Sequence, residues 1–173
     1  MKQFMKVSVI IFSLVVLAVP AWAQFPFFEN PLAGKPAPDF TLSTLNEKAV
    51  NMTQYRSGQK AIIFFWATWC PHCRIALKEL NQDSARIQDQ GIKIIIIDLG
   101  EDKEQVEAHI RKNKYTLDIF LDIESSLAEP YGIIGVPTFF FVDEKGIIKM
   151  VKHSLPKNLE EVFGLTAAQL PKE

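Results

Sequence analysis

Two continuous apolar runs constrain the fold of this 173-residue chain more than any other feature. Residues 60–66 read Lys-Ala-Ile-Ile-Phe-Phe-Trp, and residues 93–99 read Lys-Ile-Ile-Ile-Ile-Asp-Leu. Such runs are typical of parallel strands that are covered on both faces. Between them, apolar residues repeat at helical spacing and predict a helix over about residues 70–88. The chain is therefore predicted to contain a strand-helix-strand unit of an α/β fold.

Further elements surround this unit. Residues 40–43 are predicted to form an edge strand, on which residues 50–52 pair back as a hairpin. The later pattern predicts a helix at 102–114, a strand at 117–121, a helix at 125–131, strands at 139–142 and 147–152, and a closing helix at 159–170 that Gly164 can break. We therefore predict an α/β sandwich with a central mixed sheet, flanking helices and an N-terminal β-hairpin extension.

The first 23 residues have the pattern of a secretory signal peptide. Basic residues precede an apolar run at 7–19, and Ala-Trp-Ala at 21–23 forms a small-x-small cleavage signal. We predict cleavage after Ala23, a tail over 24–33 and one folded domain over 34–173. The alternative is an uncleaved anchor that leaves the domain tethered. Both predict a periplasmic or otherwise extracytoplasmic location.

Charge and cysteine content exclude several classes of protein. The 19 basic and 20 acidic residues nearly balance, and no basic stripe suggests a nucleic-acid partner. Two cysteines are too few for a disulfide-stapled scaffold. Two cysteines and three histidines offer little for a metal site of about four ligands, so we expect neither metal nor cofactor. A copper-binding carrier remains an alternative, because thiolates suit Cu(I).

The cysteines lie in Cys70-Pro71-His72-Cys73, at the predicted start of the first helix. Pro71 suits the first helical position. The positive end of the helix dipole favours a thiolate, which is the species that attacks disulfides, and a second cysteine one turn on can resolve the mixed disulfide. His72 can add a donor or a positive charge near Cys70 and so lower the pKa of that thiol. The motif predicts redox chemistry.

Two segments together resemble the thioredoxin superfamily. They are Trp-Ala-Thr-Trp-Cys-Pro-His-Cys at 66–73 and Val-Pro-Thr at 136–138, with a hairpin after the second. Gly-Lys-Pro-Ala-Pro-Asp-Phe-Thr-Leu at 34–42 and the signal peptide resemble the exported TlpA/ResA-type branch. The resemblance implies a thioredoxin-like fold and a thiol-disulfide oxidoreductase, acting on proteins with cysteines or disulfides.

The resemblance also implies roles for individual residues. Cys70 would be the exposed attacking cysteine and Cys73 the buried resolving one. Trp69 would flank the site. Pro137 would be a cis-proline facing the disulfide, and the Val136 backbone would pair with an extended substrate segment.

The chain departs from the family pattern at its carboxylates. Phe64 stands where thioredoxin has a buried aspartate, and Ile75 and Ala76 stand where many TlpA/ResA-type proteins have a glutamate. For Asp98, at the end of the second run and near the expected active-site edge, a loop or capping role is favoured over a functional role, which stays the alternative. The signature of peroxiredoxins is also absent, since Ala67 replaces its threonine.

The resemblance implies a reductant of exported proteins such as apocytochrome c, working as a monomer with a membrane or soluble thiol-disulfide partner. The dipeptide Pro71-His72 instead resembles the strongly oxidising DsbA-type enzymes. It predicts a more oxidising protein than thioredoxin and leaves a disulfide oxidase or isomerase as the alternative.

Overall fold

The computed structural model describes residues 30–164, which form one seven-stranded sheet with helices on its faces. In chain order the elements are β1 (Thr41–Thr44), β2 (Ala49–Asn51), α1 (Met52–Arg56), β3 (Lys60–Trp66), α2 (Pro71–Asp89), β4 (Ile92–Leu99), α3 (Lys103–Asn113), β5 (Ile119–Asp122), β6 (Thr138–Val142), β7 (Ile148–Lys152) and α4 (Leu159–Phe163). The predicted signal peptide and the first residues of the predicted tail lie outside the described residues. Among residues 30–164, no helix is long and apolar enough to cross a membrane.

The sheet is mixed, as predicted, with the strand order β2-β1-β5-β4-β3-β6-β7. β3, β4 and β5 run parallel, whereas β6 and β7 pair antiparallel at one side. The chain moves in one direction from β3 through β4 to β5, so right-handed crossovers place α2 and α3 on the same face. The buried residues of both helices accordingly share one core cluster.

The sheet is buried on both faces at its centre. Phe64 and Trp66 point into the core beneath α2 and α3, whereas Phe65 and Tyr131 belong to the core on the opposite face. The predicted run at 139–141 is fully buried, and the ring of Phe139 stacks on that of Phe64 at 4.3 Å. Each such ring contributes roughly 1.5–3 kcal/mol on burial. This packing fixes the ends of β3 and β6, where the candidate site lies.

The N-terminal hairpin extends the main sheet. β1 pairs antiparallel with both β2 and β5, so the outer edge is β2 and not residues 40–43 as predicted. Residues 50 and 51 pair with β1 as predicted. Met52 already begins α1, but its N–H still donates to the Phe40 carbonyl oxygen at 2.9 Å. Asn51 caps that helix by accepting a hydrogen bond from the Gln54 N–H at 3.0 Å.

The predicted helix at 125–131 is wrong, because the structure has a series of turns there. Asp122 holds the first turn by accepting from the Ser126 and Leu127 N–H groups, and Pro130 disfavours helical geometry at the residue before it. The closing helix stops at Gly164, the position at which the sequence allowed a break, because this residue adopts left-handed geometry at the C-cap. The rest of that predicted helix lies outside the described residues.

Candidate active site

The two cysteines form a disulfide at the N-terminus of α2, with their Cα atoms 5.2 Å apart. A short loop leads from the end of β3 to Cys70, which is the N-cap of the helix, and Pro71 occupies the first turn. The Cys73 N–H points at the Cys70 Sγ across 3.1 Å. The sulfur that caps the helix therefore faces a backbone donor and the positive end of the dipole, and both stabilise a thiolate.

The solvent exposure of the two cysteines differs less than the sequence predicted. Cys70 is 4% exposed and Cys73 is 0% exposed, so the prediction of an exposed Cys70 is wrong, although it remains the more accessible of the two. The reason is its capping position, because its Sγ is directed at the helix N-terminus and at the 136–137 backbone. Exposure is concentrated instead on neighbours, with Trp69 65% exposed and His72 also exposed.

The Val136–Pro137 peptide bond is cis and lies beside the disulfide. The Val136 carbonyl oxygen is 3.6 Å from the Cys70 Sγ. The sheet brings these distant segments together, because β6 pairs with β3 in a register that sets Thr138 opposite Phe65. The predicted residues at 69–73 and 136–137 thus converge at one end of the sheet.

A groove of about 740 Å³ begins at Pro137 and runs along the outer face of α2. His72 and Ile75 line one wall, and the segment after β7, including His153, lines the other. The Nδ1 atom of His153 lies 3.0 Å from the Pro137 carbonyl oxygen. Sequence reasoning missed His153, although the register of the β6–β7 hairpin was a signal that could have located it.

Apolar side chains are exposed around this end of the fold. Trp69 precedes the disulfide, Ile75 lies on the outer face of α2, and Ile134 is fully exposed in the loop before the cis-proline. Exposed apolar side chains that cluster around a site are typical of surfaces that bind proteins or ligands. The surface around the disulfide therefore suits an apolar segment of another protein.

A buried polar network holds the loop before Cys70. The Thr68 N–H donates to Glu101 at 2.5 Å, and the Thr68 hydroxyl donates to the other Glu101 oxygen at 2.6 Å. Gln105 also donates to Glu101, and Arg74 donates to the Thr68 carbonyl oxygen at 3.1 Å. Sequence reasoning missed this network, because no spacing in the chain links residue 68 to residue 101.

The residues at the positions where related proteins have carboxylates are apolar, so they bring no carboxylate of their own to the site. Phe64 is fully buried in the aromatic core, Ala76 is buried, and Ile75 is exposed. Asp98 has neither the loop nor the capping role expected of it, because it is the fully buried penultimate residue of β4 and neither oxygen has a hydrogen-bond partner in the described part of the chain. A buried carboxyl therefore exists near this end of the sheet, within the strand predicted at 93–99.

Replacing His72 with alanine should raise the pKa of the Cys70 thiol in the reduced protein by roughly one unit, because a donor or positive charge in the first helical turn is lost. Thiolate absorbance in the ultraviolet, recorded against pH, measures this change. Lys78→Ala is a matched control, because it removes an exposed basic side chain further along the same helix. Equal Cys70 pKa values in the His72 variant and the wild type would refute a tuning role.

The comparisons with known proteins agree with this geometry. The AhpC/TSA family matches residues 33–151. The chain is 30% identical to "Thiol-disulfide oxidoreductase ResA" of Geobacillus thermodenitrificans, over 93% of this chain and 96% of that protein. It is 34% identical to "Thiol:disulfide interchange protein DsbE" of Escherichia coli, over 70% of this chain and 65% of that protein. The crystal structure of StoA from Bacillus subtilis superposes with a TM-score of 0.63 at 29% identity, covering 73% of this chain and 96% of that one.

Proposed function

This chain belongs to the AhpC/TSA family and is a thioredoxin-like thiol-disulfide oxidoreductase of the ResA, StoA and DsbE type, and on that premise we propose that it reduces disulfides of exported proteins through Cys70 and Cys73. The observation that carries the proposal is the placement of the Cys70 sulfur. It lies between the N-terminus of α2 and the Val136 carbonyl oxygen, and the nearby residues His72 and Pro137 line the open groove.

The exchange has two steps. In the first, the Cys70 thiolate attacks one sulfur of a substrate disulfide, so that a Cys70–substrate bond forms and the other substrate sulfur leaves as a thiolate. In the second, the Cys73 thiolate attacks the Cys70 Sγ and releases the second substrate thiolate. Two electrons pass from the protein to the substrate, both substrate thiolates take protons from solvent, and the Cys70–Cys73 disulfide remains. An external membrane or soluble thiol donor then reduces that disulfide.

Substrate binding is assigned to the backbone beside the disulfide and to the exposed side chains around it. A proline at position 137 has no N–H, and the segment at Val136, directly before β6, offers its backbone to a substrate strand in the manner of β-strand addition. Trp69 and His72 would contact the residues on either side of the substrate cysteine. The exposure of both side chains supports this arrangement.

The substrate class and location rest on the sequence pattern. The predicted signal peptide at 1–23 supports export to the periplasm or the outer side of the cell membrane. There, exported cysteines become oxidised unless a reductant acts on them. The haem-binding thiols of apocytochrome c are the substrate that the resemblance to the TlpA/ResA-type branch favours.

A disulfide oxidase or isomerase is the second candidate, and the observation in its favour is His72 between the two cysteines. Stabilising the Cys70 thiolate makes the protein disulfide easier to reduce and so favours oxidation of substrates. Among residues 30–164 no three potential ligand residues cluster as a metal site, so nothing in that range supports the copper-carrier alternative.

The Cys73→Ser variant should capture the natural substrate as a mixed disulfide, because the first exchange step is intact and the resolving thiol is absent. The variant would be expressed with its N-terminal segment in a bacterial host, and the captured partners would be identified by mass spectrometry. We expect proteins with paired cysteines, joined through Cys70 and released by dithiothreitol.

The matched control is the variant with serine at both positions, which should capture nothing. Capture of apocytochrome c in a host whose own thiol-disulfide enzymes are unaltered supports the reductant. Recovery of a broad range of secreted proteins with structural disulfides would instead support the oxidase or isomerase and overturn the reductant proposal.

A further inference from the structure

Asp98 is a buried carboxyl that the exchange mechanism does not use. It lies in β4 directly opposite Trp66 in the β3–β4 register, and its side chain is fully buried. Neither of its oxygens has a hydrogen-bond partner in the range 30–164. Because an ionised carboxylate without partners costs several kcal/mol to bury, this geometry disfavours the charged form.

Glu101 is the group that a protonated Asp98 can bond. Burial is the main cause that raises the pKa of Asp98 to about 8; the neighbouring Glu101 carboxyl raises it further, and the Glu101 backbone N–H acts in the opposite direction. Asp122, from the end of β5, adds a smaller effect in the same direction. On the helices packed above, His109 lies within electrostatic range of Glu101 and of Arg74, and its pKa is lowered mainly by burial.

Glu101 connects this carboxyl pair to the active site. Both of its oxygens accept hydrogen bonds from Thr68, two residues before Cys70. The Cys70 N–H in turn donates to the Ala67 carbonyl oxygen at 3.2 Å, so residues 67–70 form one hydrogen-bonded turn. Hydrogen bonds therefore run from Glu101 through Thr68 to the loop that carries the cysteine, and Asp98 acts on this set through its electrostatic effect on Glu101.

We propose that Asp98 is a positioning residue, which shares one proton with Glu101, keeps the Glu101 carboxylate on Thr68 and thereby fixes the loop that carries Cys70. When this proton is released to solvent, two adjacent buried carboxylates are both negative and repel each other. Glu101 then binds Thr68 less well and the loop loosens. The part of this inference that concerns Cys70 rests on the proposed function, whereas the carboxyl pair itself does not.

The first test uses the oxidised protein, in which the joined cysteines do not titrate. The Thr68 amide would be followed by nitrogen-15 NMR from acidic to alkaline pH. We expect its chemical shift to change with an inflection above the range of ordinary histidines, and we expect this inflection to be lost in Asp98→Asn. Asp102→Asn removes an exposed carboxylate from the same loop and should keep the inflection. An unchanged Thr68 shift in the wild type, or an inflection that persists in Asp98→Asn, would overturn the proposal.

The second test uses the reduced protein and measures the rate of Cys70 alkylation by iodoacetamide against pH. The wild type should show a second inflection besides that of the Cys70 thiol, and Asp98→Asn should lack this second inflection. If Asp98 had only a structural role, the two pH profiles would have the same shape. A Thr68 inflection with both cysteines inert would refute the proposed exchange role and retain the carboxyl pair. A reactive Cys70 with identical profiles in both proteins would refute the link from Asp98 to the loop.

Discussion

Replacing Cys70 with serine should reduce the catalysed reduction of insulin by dithiothreitol to the uncatalysed rate, a loss of roughly a thousandfold or more. A hydroxyl at this position is not ionised near neutral pH and forms no mixed disulfide, so the first exchange step cannot occur. The measurement is the rate at which the insulin chains precipitate, with and without the variant.

This substitution tests chemistry without disturbing the fold, because serine is among the preferred helix N-cap residues and position 70 is the N-cap of α2. The reduced variant should therefore unfold in urea at nearly the same concentration as the reduced wild type. Cys73→Ala is the matched variant, since it leaves the attacking thiol in place and blocks only the second step. Full activity in a folded Cys70 variant would mean that the nucleophile lies elsewhere.

Replacing Asp98 with asparagine should raise the free energy of unfolding of the oxidised protein by roughly 4 kcal/mol at pH 7. In the folded protein burial raises the pKa of Asp98 from 3.8 to about 8, so Asp98 binds a proton at pH 7 that the unfolded chain releases. The stability that Asp98 contributes is complete below its unfolded pKa and is lost as the pH rises through the folded value. The amide of asparagine can donate to Glu101 as a protonated carboxyl can, and its ability to donate does not change with pH.

The difference between the two proteins should grow between about pH 4 and pH 8 and then become constant. Urea unfolding at several pH values measures it, and subtraction removes the contributions of carboxylates common to both proteins. Asp39 and Glu144, for example, have lowered pKa values and affect both proteins alike. A variant that is less stable than the wild type at every pH would contradict a buried, proton-holding Asp98.

The centre of the fold could be predicted from the sequence because its signals are local and strong. The apolar run at 60–66 fills β3 completely, and the run at 93–99 lies within β4. Two of the departures in secondary structure arose where short-range bonds by polar side chains decide the structure. Asn51 ends β2 and caps the helix that begins at Met52, and Asp122 fixes turns where a helix was predicted.

Some residues of the candidate site could be located from the sequence and others could not. The residues at 69–73 and 136–137 could be located because the motif and the resemblance name them, and the β3–β6 pairing brings them together. Their roles in binding and exchange stay predictions. Glu101 and Asp98 could not be assigned, because their environment depends on how the loop after β4 packs against the loop after β3. When an acidic residue lies at the end of an apolar strand, the sequence does not show whether it caps a neighbouring element or is buried and holds a proton.

The most direct test of the account is to treat the reduced protein with limiting iodoacetamide at neutral pH and to locate the label by peptide mass spectrometry. The account predicts that Cys70 is labelled first and faster than free cysteine, while Cys73 stays unmodified, because only the Cys70 sulfur caps the helix and retains any exposure. Preferential labelling of Cys73, or no labelling of either thiol in the folded protein, would contradict it.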